Sequence, residues 1–392
     1  GYTSRFLDYG KRFVAGAEET ATATAEAFNA SIAWDGGGAD ANWNTGANWV
    51  GDVAPGTADL AVFDATACGA NCNPTVNVSV SVLGISMTVA HTITQSNGTT
   101  ITLGTSGYSQ SVGTFTGGDS TSHMNFNDSS FTLSGGAFTE PGGNMNIDRN
   151  FTKSGTPTFT HNSGTIIFDD TDGSDDTTLD CGAINLNKVT ITKDSGGDMI
   201  ISSGCTAPLG ASPSTSIRGA TFTNNGTLTV ASGIWTISDS TGGTRHTLTN
   251  NGTITHSGSG WTTPGGFVNG SAGVVTYSGS TMSVGNNLDV SVGTFPSGLT
   301  VTFDDLGGGD STTLTCGSVT FTQVIITKDS GGDMTISSGC TVPLGASPTS
   351  AFSGSGAVFT NNGTITVASG TWAITDGAAT FHTFTNNGTI TH

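Results

Sequence analysis

Four cysteines of this chain repeat one spacing: Cys316 and Cys340 stand as far apart as Cys181 and Cys205. Cys68 and Cys72 sit together in "CGANC". Paired thiols either oxidise to disulfides or hold zinc. Zinc calls for tandem CxxC spacing or a nearby histidine, and these pairs have neither. The duplicated spacing therefore predicts the disulfides Cys68–Cys72, Cys181–Cys205 and Cys316–Cys340, and with them an oxidising, extracellular compartment.

The next group with chemistry in it is acidic. "FDDTDGSDDTT", residues 168–178, carries Asp169, Asp170, Asp172, Asp175 and Asp176. Its D-x-D-G core places carboxylates at alternate positions before a turn glycine, as a calcium loop does. Asp170, Asp172 and Asp175 are the candidate Ca2+ ligands, and no other cofactor is implied. The loop lacks the closing bidentate Glu, so a solvated acidic turn is the competing reading. "FDDLGGGDSTT", residues 303–313, keeps Asp304, Asp305 and Asp310. A polysaccharide lyase or hydrolase needs clustered carboxylates with a basic partner in a groove. No Lys or Arg is near these turns in sequence, and the chain is expected not to be an enzyme.

Other suggestive residues have plainer readings. "KDSGGDM" occurs at 193–199 and again at 328–334. Its core is a good turn, with Lys193 expected to pair with Asp198 at little energetic gain. His246 and His382, like His256 and His392, recur as repeat positions rather than as metal ligands. Trp235 and Trp372 recur in "GIWTI" and "GTWAI"; core or edge packing explains them better than a sugar-stacking platform.

Composition says what must position these groups. Glycine is abundant (59) and charged residues are few (10%), yet 34% of residues are hydrophobic. The apolar residues fall singly among Thr, Ser and Asn, the pattern of many short strands with polar turns. The net charge is −19 with ten Lys and Arg in all. That leaves no basic stripe for nucleic acid. No apolar run reaches the roughly 18 residues of a membrane span, so no membrane insertion is expected.

Two periods organise the chain. "ITKDSGGDM" at 191–199 returns at 326–334, and Phe168-Asp169-Asp170 and Cys181-Gly182 return at that same offset. Inside this long unit a shorter phrase, "NNG", recurs at Asn225 and Asn251, and again at Asn362 and Asn387. Asn-Gly is a turn signal because both residues tolerate positive φ. A glycine-punctuated period of roughly 25 residues fits an all-β parallel β-helix, or β-solenoid, whose coils stack at about 4.8 Å. The two cysteines of each repeated pair then lie nearly one above the other, within disulfide reach. The domains expected are an N-terminal extension (1–33), a β-helix start with degenerate repeats (34–167), a repeat unit (168–302) and a truncated second copy (303–392).

The same stacking predicts side-chain ladders. Alternation in "TFTNNGTLTV" sends Phe222, Leu228 and Val230 inward and the threonines outward. Asn225 over Asn251, and Asn362 over Asn387, would form amide ladders. All four also lie in N-x-S/T triplets, as do Asn97, Asn127 and Asn150; a glycan at the ladder positions would break the ladder.

Residues 1–33 stand apart. They hold Arg5, Lys11 and Arg12 with Phe6, Leu7, Tyr9, Phe13 and Val14. An exposed β-helix end needs a cap. The competing reading is a polymerisation arm, with Phe6, Leu7, Tyr9 and Phe13 as subunit contacts.

"WDGGGADANWNTGANWVGDVAPGTADLAVFD", residues 34–64, resembles a segment of bacterial autotransporter-type passenger domains and large secreted surface proteins, where it leads into parallel β-helix repeats. "GTFTGG" and "PTFTHNSGTIIFDD" resemble those repeats too. The resemblance implies a structural or adhesive role outside the cell or on the surface of a bacterium. The expectation is a structural subunit of an extracellular filament or cell-surface fibre, with itself as partner, assembling head to tail. The alternative is a monomeric adhesin passenger domain that binds surface glycans or a host.

Overall fold

A computed structural model describes residues 30–64, 68–169, 175–194, 196–239, 245–304, 310–328, 332–352, 357–376 and 382–392. The chain is an all-β parallel β-solenoid of about 23 residues per turn. Among the described residues every pairing between strands is parallel, and one isolated bridge, Trp34 with Trp49, is antiparallel.

One turn shows how the sequence does this. Ser214–Ile217 forms a first face, Thr221–Asn224 a second and Thr227–Ser232 a third, and Ile234–Ser238 returns to the first face one level up. Each strand alternates, so period-two patterning sends one side inward. Phe222, Leu228 and Val230 are buried as expected, and Trp235 is buried on the next level. The strand Thr247–Asn250 then lies in register on Thr221–Asn224, pairing Thr with Thr, Phe222 with Leu248 and Asn with Asn. Stacking like on like is why the phrase is repeated.

The turns are on average shorter than the period of the "NNG" phrases suggested, and they are uneven. Asn224 pairs with Asn250 across a long turn, whereas Asn250 pairs with Asn269 across a much shorter one. The longer turn carries the extra segment 239–246. The "NNG" phrases therefore marked the long turns and overstated the mean.

The glycine of "NNG" also has a different reason from the one expected. Gly226, Gly252, Gly363 and Gly388 do not adopt positive φ; that conformation falls at Gly219, Gly233 and other corners. A Cβ on Gly252 would instead fall on the Gly226 carbonyl oxygen of the neighbouring turn. Glycine is required there because two backbones touch, not because the chain turns left-handed.

The core is a single narrow column running the length of the described solenoid. Its N-terminal part is aromatic: Trp34, Trp43, Trp49 and Phe63 meet at ring distances of 4.7–6.2 Å. Phe131 lies 4.8 Å from both Phe138 and Phe151. Residues 168–392 rely more on Ile, Leu, Val and Met. Ser31–Ala33 already pairs with Leu60–Phe63, so solenoid structure includes residues assigned by sequence to the extension. Phe6, Leu7, Tyr9 and Phe13 lie outside the described residues.

Candidate functional site

The cysteines come together as their spacing predicts. Cys181–Cys205 and Cys316–Cys340 are disulfides with Cα separations of 5.0 and 5.1 Å, and Cys68–Cys72 is a third with 5.4 Å. Each of the first two clips one turn to the next. Three disulfides place the fold in an oxidising, extracytoplasmic environment.

The asparagines divide into an outer and an inner set. Asn251 Nδ2 donates to Asn225 Oδ1, and Asn387 Nδ2 to Asn362 Oδ1, each at 3.0 Å and on the exposed surface. The buried ladder lies one residue earlier. Asn224 Nδ2 donates to Asn250 Oδ1 (2.8 Å), and Asn250 Nδ2 to Asn269 Oδ1 (2.9 Å). Asn361 Nδ2 donates to Asn386 Oδ1 at 2.7 Å. Asn224 also takes the Gly226 amide, so the side chain shapes its own corner. Strand parity carried this signal: with Phe222 inward, Asn224 is inward too.

The described ends of the acidic turns receive buried lysines. Lys193 is fully buried and does not reach toward Asp198. Its Nζ donates to the Asp175 carbonyl (2.7 Å) and to Thr177 Oγ1 (2.8 Å). Lys328 repeats this on Asp310 and Thr312 at the same distances. Asp198 instead accepts the Thr221 amide. Each turn's carboxylate is met by an arginine from an earlier level. Arg149 Nη2 lies 3.2 Å from Asp175, and Arg245 Nε 2.5 Å from Asp310. Cations far away in sequence are thus brought onto the turns, and they engage Asp175 where calcium was expected. Asp170 and Asp172 lie outside the described residues. Among the described residues no three His, Cys, Asp or Glu side chains converge to hold a metal.

Two buried titratable groups carried no signal in the sequence. His246 bridges Asp239 Oδ1 (2.5 Å) and Thr263 Oγ1 (2.7 Å) inside the wall. Burial raises the Asp239 pKa, but hydrogen bonds from His246 and Arg245 outweigh it and hold it below the usual range. Thr263 is 1% exposed, so this carboxylate–imidazole–hydroxyl line ends inside the wall. Glu140 is also 1% exposed, and neither of its oxygens has a hydrogen-bond partner. Burial pushes its pKa up to about 7, with the nearby Gly164 amide pulling the other way.

A groove of about 450 Å3 crosses three successive turns. The long strand Thr100–Gln110 lays down Ser106 and Ser109, the next turn Asp128, Ser129 and Thr132, and the next Arg149. Gly107 makes the fit: its φ is +60°, and a Cβ there would fall on the Ser130 carbonyl. Asp128 adopts φ +52° and donates its amide to Asp148 Oδ2 at 2.8 Å. Arg149 Nη2 sits 2.5 Å from Asp128 Oδ1 with both side chains 43% exposed. Ser129 Oγ is buried without a partner, which costs about 1–3 kcal/mol. Two smaller grooves of about 230 Å3 occupy equivalent places in the two repeat units, at Val189 and Leu209 and again at Val324 and Leu344.

No family model, curated protein or solved structure matches this chain. The parallel β-solenoid stands on the geometry alone. No helix among the described residues is long and apolar enough to cross a membrane.

Proposed function

We propose that the chain is a structural subunit of an extracellular filament or surface fibre, built by solenoids stacking head to tail. The observation that carries this reading is the junction inside the chain, where one repeat unit meets the next. Leu299–Asp304, which spans the boundary between the two units, pairs with Thr281–Val284 of the first unit below it and with Phe321–Lys328 of the second unit above it. Leu288–Asp289 likewise accepts Thr312–Thr315. The final turn of a unit thus receives the first turn of another with its ladders continuous. Between two molecules the same contact is heterologous and does not close, which yields a fibre. The buried lysines, disulfides and asparagine ladders all serve the wall of the rod. The likeness of residues 34–64 to autotransporter-type passengers supports a place on a bacterial surface.

Negative-stain microscopy with light scattering across a concentration series tests the proposal. Unbranched polymers that lengthen with concentration are expected, and deletion of residues 1–29 should abolish them. A chain that stays monomeric at every concentration overturns the filament and leaves the monomeric adhesin.

A further inference from the structure

We propose that the groove beside Arg149 binds one or two rings of a neutral saccharide. The site is built rather than incidental. Its floor needs the left-handed Gly107, and its rim holds a non-glycine residue, Asp128, in that same conformation. Residues in such conformations persist where the surrounding structure fixes them, and they gather at ligand clamps. Its volume of about 450 Å3 lies in the range of small-molecule sites, roughly 300–1,000 Å3.

The lining chemistry selects the ligand. Arg149 offers only donors, and the Asp128 carboxylate only acceptors. Side by side at the rim, they match two neighbouring hydroxyls of a sugar, each of which both gives and takes a hydrogen bond. Ser106, Ser109 and Thr132 add hydroxyls along the wall. The decisive group is Ser129: a hydroxyl buried against the groove, its Oγ unpartnered within the protein. A ligand hydroxyl supplies the missing bond.

Charge narrows the class. Arg149 is already met by Asp128 and Asp175, so an incoming anion would face more carboxylate than guanidinium. The described residues hold no converging set of three metal-ligating side chains. A neutral polyol fits both facts. The two repeated grooves differ: Val189, Leu209 and Pro213 line one, and Val324, Leu344 and Pro348 the other. The only aromatic side chain on the Arg149 groove, Tyr108, is buried with its hydroxyl on Gln110, so affinity per site is expected at about 1 mM. A polymeric glycan contacting many subunits would bind far more tightly by multivalency. The site lies on the side of the rod and does not depend on the assembly state.

Saturation-transfer NMR on the full chain tests it, with maltotetraose, cellotetraose, mannotetraose and β-galactotetraose, and with tetragalacturonate as the anionic control. Transfer from at least one neutral oligosaccharide is expected, with at least a tenfold preference over tetragalacturonate. Ser129→Ala should weaken binding about tenfold while leaving the thermal midpoint unchanged or raised. Arg149→Gln should abolish binding, with circular dichroism confirming the fold. Thr190→Ala, in a repeated groove, should change nothing. Absence of transfer from all four neutral probes, stronger binding of the anionic probe, or binding indifferent to Ser129→Ala would overturn the assignment.

Discussion

Residues 34–167 and residues 168–392 solve one problem in two ways. A solenoid core is a narrow column, and each layer must be tied to the next. The N-terminal part ties layers with rings: Phe131 touches Tyr108 on the level below and Phe151 on the level above, with Phe138 beside it in its own turn. The repeat units have fewer stacked rings and instead use covalent and polar ties at fixed places. These are a disulfide, a buried lysine on an acidic turn, and an asparagine ladder, present in both copies. Rings tolerate irregular turns because their contacts are broad. Disulfides and ladders demand that equivalent atoms recur at one place in the turn, which the duplicated phrases supply.

The largest effect should come from breaking the aromatic half. Phe131→Ala should cost about 3–5 kcal/mol in chemical denaturation, since a large cavity opens in a core with nothing to refill it. The same measurement should find the repeat units less sensitive to any single apolar truncation.

Opening the covalent tie should come next. Cys181→Ser with Cys205→Ser should lower stability by about 3 kcal/mol, because the two cysteines close a long loop, at a sequence separation of 24. Removing Cys68–Cys72, whose separation is only 4, should cost about 2 kcal/mol.

Acidity should separate the halves at a similar or smaller scale. Glu140 belongs to the aromatic half, and its folded pKa is raised to about 7. The folded state therefore holds a proton that the unfolded state releases near its ordinary pKa of 4.5. The stabilisation from keeping Glu140 protonated is complete below about pH 4.5 and is lost as pH rises to about 7, a swing of up to about 3 kcal/mol. Glu140→Gln should flatten that slope and raise stability at pH 8. A pH titration of hydrogen exchange should show the change over 34–167 and not over 168–392.

The smallest effects should distinguish the two asparagine rows. Asn250→Ala leaves one N–H of the Asn224 side chain and the Asn269 side-chain carbonyl without partners and should cost about 2 kcal/mol. Asn251→Ala removes an exposed pair and should cost under about 0.5 kcal/mol.

This contrast also decides what the sequence made legible. The parallel coil could be read because cysteines and "NNG" phrases recur at one-turn spacing. Strand parity likewise held enough to place Asn224 and Lys193 inward, since Phe222 and Ile191 lie two positions before them. Asn269 was not legible, because it sits in "FVNGSAG" with no repeat phrase around it. Nor was the Arg149 groove. It joins Ser106, Asp128 and Arg149 on successive turns where no repeated phrase marks equivalent positions. Nor did any repeated phrase mark the arginines that reach Asp175 and Asp310.

Fibre diffraction from aligned assemblies tests the central claim, that solenoid turns stack along the axis from one molecule into the next. The account predicts a sharp meridional reflection near about 4.8 Å, because strand spacing and fibre axis coincide. The same reflection on the equator, or a chain that forms no fibres to align, would contradict it.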